Sequence, residues 1–222
     1  MTYLSFEQYT ELVQKLNGGH WTKATIATRW DYHLKAIELI KSLEAQGSRT
    51  VLEMGTMGVK CVAESDTIDF LEKWDFEGKQ PTYPHDCRNF PWPVETGSYD
   101  VFVSLRVFQH LQPVQKEAFL EAKRIARNVI IVVPRAYNNQ LIPDSKPITY
   151  KDFLDFNGGV HPNVFLPTKF GDLYLWCADN PSSLNIENLF KDINQDGPKT
   201  KVVTEYVGIG SLFIKLYRRL RK

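Results

Sequence analysis

The sequence lacks most of the features that assign a protein to a class at once. Its three cysteines, Cys61, Cys87 and Cys177, are odd in number, widely spaced and form no C-x-x-C pair. That pattern argues against a disulfide scaffold or a cysteine-based zinc site, fits a reducing compartment, and leaves them as core thiols. No stretch approaches the roughly 18 consecutive apolar residues of a membrane-spanning helix, so no integral membrane segment is expected. The opening MTYLSFEQYTELVQKL carries Glu7 and Glu11 within its apolar spacing, which does not read as a signal peptide, and a cytoplasmic location is expected. Charge of one sign is missing too. With 27 Lys+Arg against 26 Asp+Glu the formal net charge is +1, and the mixing of signs argues against a nucleic-acid binder that works by neutralising phosphates. The terminal LFIKLYRRLRK reads as a strand with a solvated basic end. No His, Asp and Glu cluster has ligand spacing, so no metal is expected.

What is present is an alternation of helical and strand-like periodicity over 222 residues, 43% of them hydrophobic. That length suits one domain, whose N-terminal helices occupy 1–47, cofactor-binding core 48–134, lid or insertion 135–170, and C-terminal strands and helix 171–222. Apolar spacing predicts helices over 4–16 and 31–45, the second ended by Gly47. Strands follow at 49–55, 66–70, 82–85 and 99–105, then a helix at about 113–126 and a strand at 129–133 closed by Pro134. Beyond it come a proline-rich segment with a helix at 150–156, a strand at 173–177, a helix at 184–192, and strands at 201–207 and 211–217 that read as an antiparallel hairpin on the sheet edge. Strand and helix alternating in this way imply a doubly wound, mostly parallel, seven-stranded Rossmann-like α/β sheet.

In such a sheet a ligand binds outside the carboxyl ends of the strands, where strand order reverses. The first strand ends in Glu53-Met-Gly55-Thr-Met-Gly58, the second near Asp69, the third at His85-Asp86-Cys87 and the fourth at Arg106-Val-Phe-Gln-His110. Gly55-Thr-Met-Gly-Val-Lys60 does not supply the G-x-G-x-x-G turn of a dinucleotide site. Acids at three strand ends suit a ligand presenting an ammonium, a sulfonium and a ribose diol, the groups of S-adenosylmethionine (SAM).

The order of motifs, VLEMGTMG, TIDF, HD with FPWP, YDVFVSLRVFQHL and NVIIVVP, resembles a class I SAM-dependent methyltransferase over about residues 30 to 135. The FPWP segment and VFQHL look most like bacterial methyltransferases found among genes for cell-surface glycans. The resemblance implies that Glu53, Gly55 and Gly58 handle the methionine moiety. It places Asp69 at the ribose, with Asp66 and Asp75 as competitors, and Asp86 and Cys87 beside adenine. Arg106, Phe108 and His110 would then flank the methyl group or the substrate. The chain departs from the family's acid-x-Gly-x-Gly-x-Gly pattern, with Met57 and Val59 where the second and third glycines would stand. Gly55 and Asp69 are 14 positions apart (69 − 55), so the first crossover helix must be short.

His110 and His161 are the candidate general bases, because imidazole titrates near neutral pH. Each has a competing structural reading, as do His20, Trp21, Trp30, Tyr32 and Trp92, whose aromatic faces suit core packing as well as a ligand. The expected reaction is methyl transfer to a small-molecule or glycan acceptor, through a hydroxyl, with the oligomeric state left open. The rivals are a methyltransferase-like binding or scaffold protein without turnover, and a dinucleotide oxidoreductase.

Overall fold

Val51–Met54 and Tyr99–Leu105 are apolar along almost their whole length, so each strand must bury both faces. They pair in parallel as β1 and β4 at the centre of a seven-stranded sheet, with Val51 opposite Val101 and Glu53 opposite Val103. The computed structural model describes residues 1–15, 23–70, 80–134, 145–179, 184, 201–206 and 212–217. On one side of β1 lie β2 (Asp66–Asp69) and β3 (Tyr83–Pro84), both parallel. On the other side of β4 lies parallel β5 (Ala126–Val133), followed by antiparallel β7 (Gly171–Cys177) and the edge strand β6 (Val164–Thr168), giving the order β3-β2-β1-β4-β5-β7-β6. Strand order reverses between β1 and β4, which fixes where a ligand site can lie.

Alternation along the strands feeds two apolar layers. One face sends Val51, Val101, Val103, Ile130, Val132 and Leu173 against Tyr32, Ile37, Ile40 and Leu43 of α2 (Lys23–Ala45). The other sends Leu52, Phe102, Val129, Ile131, Tyr174 and Trp176 against Phe119 of α3 (Gln115–Ile125) and Phe153 of α4 (Tyr150–Phe156). Each such fully buried side chain contributes roughly 1.5–3 kcal/mol relative to exposure. The short α4 is fixed at its start by a capping box, in which Thr149 Oγ1 accepts from the Asp152 amide and the Asp152 carboxylate accepts from the Thr149 amide.

Three expectations change here. The crossover 55–65 between β1 and β2 contains no helix. Its two left-handed glycines cannot continue into a helical turn, and the Cys61 and Val62 amides are drawn to a side chain instead of to carbonyls four residues back. The vacated flank is covered by the N-terminal segment: Tyr3 bridges Val62, the Leu4 amide donates to the Cys61 carbonyl at 3.0 Å, and Val59 packs with Tyr9 and Val13 of α1 (Phe6–Lys15). Val164–Thr168, within the segment read as a lid, is a sheet strand, and Pro167 is tolerated there because β6 is an edge. The hairpin of β8 (Lys201–Tyr206) and β9 (Leu212–Tyr217) forms as an antiparallel pair, but as a two-stranded sheet of its own, while the antiparallel end of the main sheet is β7 with β6. The helix expected at 184–192 and the candidates His20, Trp21 and Asp75 lie outside the described residues. Among the described residues no helix is long and apolar enough to cross a membrane.

Candidate functional site

β1 stops at Met54 because Gly55 turns to φ +66°. A side chain there would meet two obstacles, the left-handed backbone and Val107, whose Cγ2 would stand 2.3 Å from an added Cβ. Met57 (φ 49°) and Gly58 (φ 85°) keep the turn left-handed. For Met57, a non-glycine, that conformation persists only because neighbouring groups hold it. Asp69, at the carboxyl end of β2, is one such group: its Oδ2 accepts from the Met57 amide at 3.3 Å and its Oδ1 from the Phe70 amide at 2.9 Å. Thr56 supplies the rest, accepting from the Gly58 amide on Oγ1 and from the Val59 amide on its carbonyl. The glycine turn and Asp69 are thus one unit. Burial raises the Asp69 carboxyl to about 6, against the opposing pull of the Met57, Phe70 and Thr56 amides.

Glu53 sits differently from what its place before the turn led us to expect. Its carboxylate is 2% exposed and faces the crossover, accepting from the Cys61 amide (2.8 Å), the Val62 amide (2.9 Å) and Ser65 Oγ (2.8 Å). Burial raises its pKa while these three donors lower it. Both oxygens therefore act on the chain itself, giving the crossover its shape in place of a helix. Nothing in the sequence flags the donors, since two of them are backbone amides. Of the competing acids, Asp66 accepts from Tyr99 Oη at 2.7 Å and Thr82 Oγ1 at 3.1 Å, at the amino end of β2.

Beyond β3, Asp86 is gripped by Arg88 through Nε at 2.9 Å and Nη2 at 2.7 Å, which holds its carboxyl below the usual range. Cys87 is buried in the core, with its peptide oxygen accepting from Trp92 Nε1 and its thiol pushed up by burial, so it is no nucleophile. Trp92 and Tyr32 are core residues. Phe108, expected near the methyl group, is fully buried and meets Phe102 edge-on.

At the carboxyl end of β4 Arg106 is the second left-handed non-glycine, at φ 66°. Its guanidinium lies 4.6 Å from the Phe170 ring centre and donates to the Phe170 carbonyl, in the turn between β6 and β7. A short 3-10 turn, Phe108–His110, then presents His110. Gln109 Nε2 donates to His110 Nε2 at 2.9 Å, so the ring proton belongs on Nδ1, which meets Ser145 Oγ at 2.5 Å. Gln109 is 2% exposed, its Nε2 also reaches the Arg106 carbonyl at 2.5 Å, and its Oε1 has no hydrogen-bond partner among the described residues. His161 lies apart in the loop between α4 and β6, where Nδ1 meets Tyr150 Oη at 2.8 Å. Gly55, Gly58 and Asp69 therefore stand at the carboxyl ends of β1 and β2, and Arg106 and His110 follow the carboxyl end of β4, with Val107 against Gly55 between them. Sequence reasoning missed Val107, Gln109 and Ser145. Gln109 adjoins His110 and was the one with a signal; Ser145 comes from 35 residues further on. Among the described residues no group of three or more His, Cys, Asp or Glu is arranged to hold a metal ion.

Neither known family models nor curated proteins match this sequence. Several solved structures are similar in fold. A SAM-dependent methyltransferase from Aquifex aeolicus shares 15% identity over 78% of this chain and 97% of its own, with a TM-score of 0.46. Magnesium protoporphyrin IX methyltransferase from Synechocystis, with bound SAH, shares 14% over 75% and 92%, at 0.48. A protein from Methanococcus maripaludis named a putative S-adenosyl-L-methionine-dependent methyltransferase shares 13% over 80% and 95%, at 0.46.

Proposed function

We propose that the chain is an SAM-dependent methyltransferase that seats its cofactor over the carboxyl ends of β1 and β2 and its acceptor over β4. The observation that carries this reading is the junction of Asp69 with the Gly55–Gly58 turn at the reversal of strand order. The donor set fits the cofactor: Asp69, with a pKa of about 6, is ionised at neutral pH and offers carboxylate oxygens to a ribose diol. When bound, SAM supplies an electrophilic methyl group for in-line displacement by an acceptor heteroatom. Glu53 fixes the crossover behind the turn. Asp86 and Cys87 border the adenine side by position in the sequence, Asp86 through its Arg88-held carboxylate and Cys87 through its backbone.

On the acceptor side, positioning contributes most of the rate, because near-attack geometry removes much of the entropic barrier. Gln109 Oε1, buried and without a hydrogen-bond partner among the described residues, would reach an acceptor N–H or O–H only if the side chain turned outward. His110 takes a proton on Nε2 only if the Gln109 amide turns away, since that amide now donates to it. His161 reaches the acceptor only by movement of the Gly158–Pro162 loop. We favour a small-molecule or glycan hydroxyl as acceptor, a cytoplasmic setting and no nucleic acid, with homo-oligomers allowed. The second reading, a binding protein without turnover, is kept for the departures at Met57 and Val59 from the family's glycine pattern.

Calorimetric titration with SAM and with SAH tests the proposal. Saturable micromolar binding that Asp69→Ala removes, with the variant still folded, is the expected result. A folded wild-type protein that binds neither compound overturns it.

A further inference from the structure

The amide of Gln109 has only one workable orientation. Its Nε2 lies 2.5 Å from the Arg106 carbonyl, which can only accept, so the nitrogen and not the oxygen must stand there. The same Nε2 is 2.9 Å from His110 Nε2, which must therefore accept and carry no proton. A neutral imidazole keeps one N–H, so Nδ1 bears it and donates to Ser145 Oγ at 2.5 Å. Histidine in water favours the other tautomer, with its proton on Nε2, so the form seen here is imposed by its neighbours. It is kept although Gln109 Oε1, a buried acceptor, makes no hydrogen bond among the described residues.

Both neighbours are buried and fixed to the turn that carries the ring. The Lys146 amide, next to Ser145, donates to the Gln109 carbonyl at 2.9 Å. Gln115 Nε2 donates to the Lys146 carbonyl at 3.2 Å and to the Phe108 carbonyl at 3.1 Å. Ser145 is thus tied to the 3-10 turn although 35 positions of chain separate it from His110. The direction of the bond also limits what this serine does. It accepts from the ring, whereas a serine nucleophile donates to its base.

We infer that Gln109 and Ser145 are positioning residues that clamp His110 as the neutral Nδ1–H tautomer, leaving on Nε2 the lone pair that a general base uses. Naming His110 a base rests on the methyltransferase reading; the clamp itself does not. The polarity suits the task. A hydroxyl of the methyl acceptor is a donor, as the Gln109 amide is, so it can take the amide's place at Nε2 with no proton moving within the ring. The acceptor's proton then passes to Nε2 and from there to water. The other proton stays on Nδ1, bonded to Ser145 throughout.

Nitrogen-15 labelling of the histidines in the full chain tests this, because the shifts of the two ring nitrogens report which one carries the proton; His110→Gln identifies the signal. At neutral pH wild-type His110 is expected to show a protonated Nδ1 and a bare Nε2. Gln109→Leu, which removes the donor, and Ser145→Ala, which removes the acceptor, are each expected to shift the population towards the Nε2–H form. Ser145→Thr, which keeps the hydroxyl, is expected to restore the wild-type pattern. Thermal melts confirm that the variants fold. Gln109→Glu, which sets an acceptor against Nε2, covers the case in which Gln109→Leu does not fold, and is expected to invert the tautomer. A wild-type ring protonated on Nε2, or one tautomer shared by the wild type and every folded variant, overturns the clamp. Calorimetry with SAH on the same samples is read separately. If the folded wild type does not bind SAH, the methyltransferase reading fails, and the ring shifts still decide the clamp.

Discussion

Replacing Glu53 with alanine tests the part of the site that departs most from expectation. The change removes the acceptor of two buried amides, those of Cys61 and Val62, and of the Ser65 hydroxyl. Ser65 has an alternative, because its Oγ also lies 2.8 Å from the Val62 carbonyl. The loss therefore falls on two amides, at about 1–3 kcal/mol for each buried donor left without a partner. Removing a carboxylate whose pKa is raised by burial returns part of that. The net destabilisation should be about 2–5 kcal/mol, which for a domain of this size lowers Tm by roughly 5–15 °C. Glu53→Gln keeps one acceptor oxygen but turns an amino group towards a donor, and should fall in between. Thermal melts and urea titrations followed by circular dichroism measure both. If Glu53→Ala melts within about 2 °C of the wild type, the carboxylate does not hold the crossover. A loss of SAM affinity in this variant is expected to follow from the loosened loop, so it must be read together with the melt.

Asp69 gives a pH signature. Its folded pKa of about 6 lies above the reference 3.8, so its stabilising contribution is complete below pH 3.8 and is lost as pH rises through 6. The difference amounts to roughly 3 kcal/mol. Urea denaturation from pH 4 to 7.5 should show this decline in the wild type and not in Asp69→Asn, and a wild-type stability that rises across that window relative to the variant would refute it. SAH affinity should move the other way, strengthening as the carboxylate ionises. At Gly55, alanine meets both the left-handed backbone and Val107, so Gly55→Ala should destabilise by about 1–3 kcal/mol. Adding Val107→Ala should recover the steric share only; a double-mutant cycle with no coupling would refute the contact.

Most of the sheet was legible in the sequence because its strands are apolar on both faces. Tyr99–Leu105 and the α4 helix Tyr150–Phe156 occupy the residues that periodicity assigned to them. β6 was not legible, since Pro167 and the surrounding prolines resemble loop, and only its pairing with β7 makes it a strand. α2 begins at Lys23 rather than near Asp31, its first turns adding only Ile26 and Trp30 to the packed face. At the site, the strand-end rule brought out Gly55, Gly58, Asp69 and Arg106, which need only local turn chemistry and topology to be placed. The direction in which Glu53 faces, and the contact of His110 with Ser145, depend on chain segments arriving from elsewhere.

The crossover without a helix has a dynamic consequence. Its outer flank is closed by residues 2–5, through the Ala63 amide to the Thr2 carbonyl and the Leu4 amide to the Cys61 carbonyl. A brace that short, joined across nearly sixty positions of chain (61 − 4 = 57), can detach without opening the sheet. Hydrogen exchange at Cys61 and Val62, whose amides are held by Glu53, would then also track the docking of residues 2–5, making the protection of this half of the crossover depend on a segment remote in sequence.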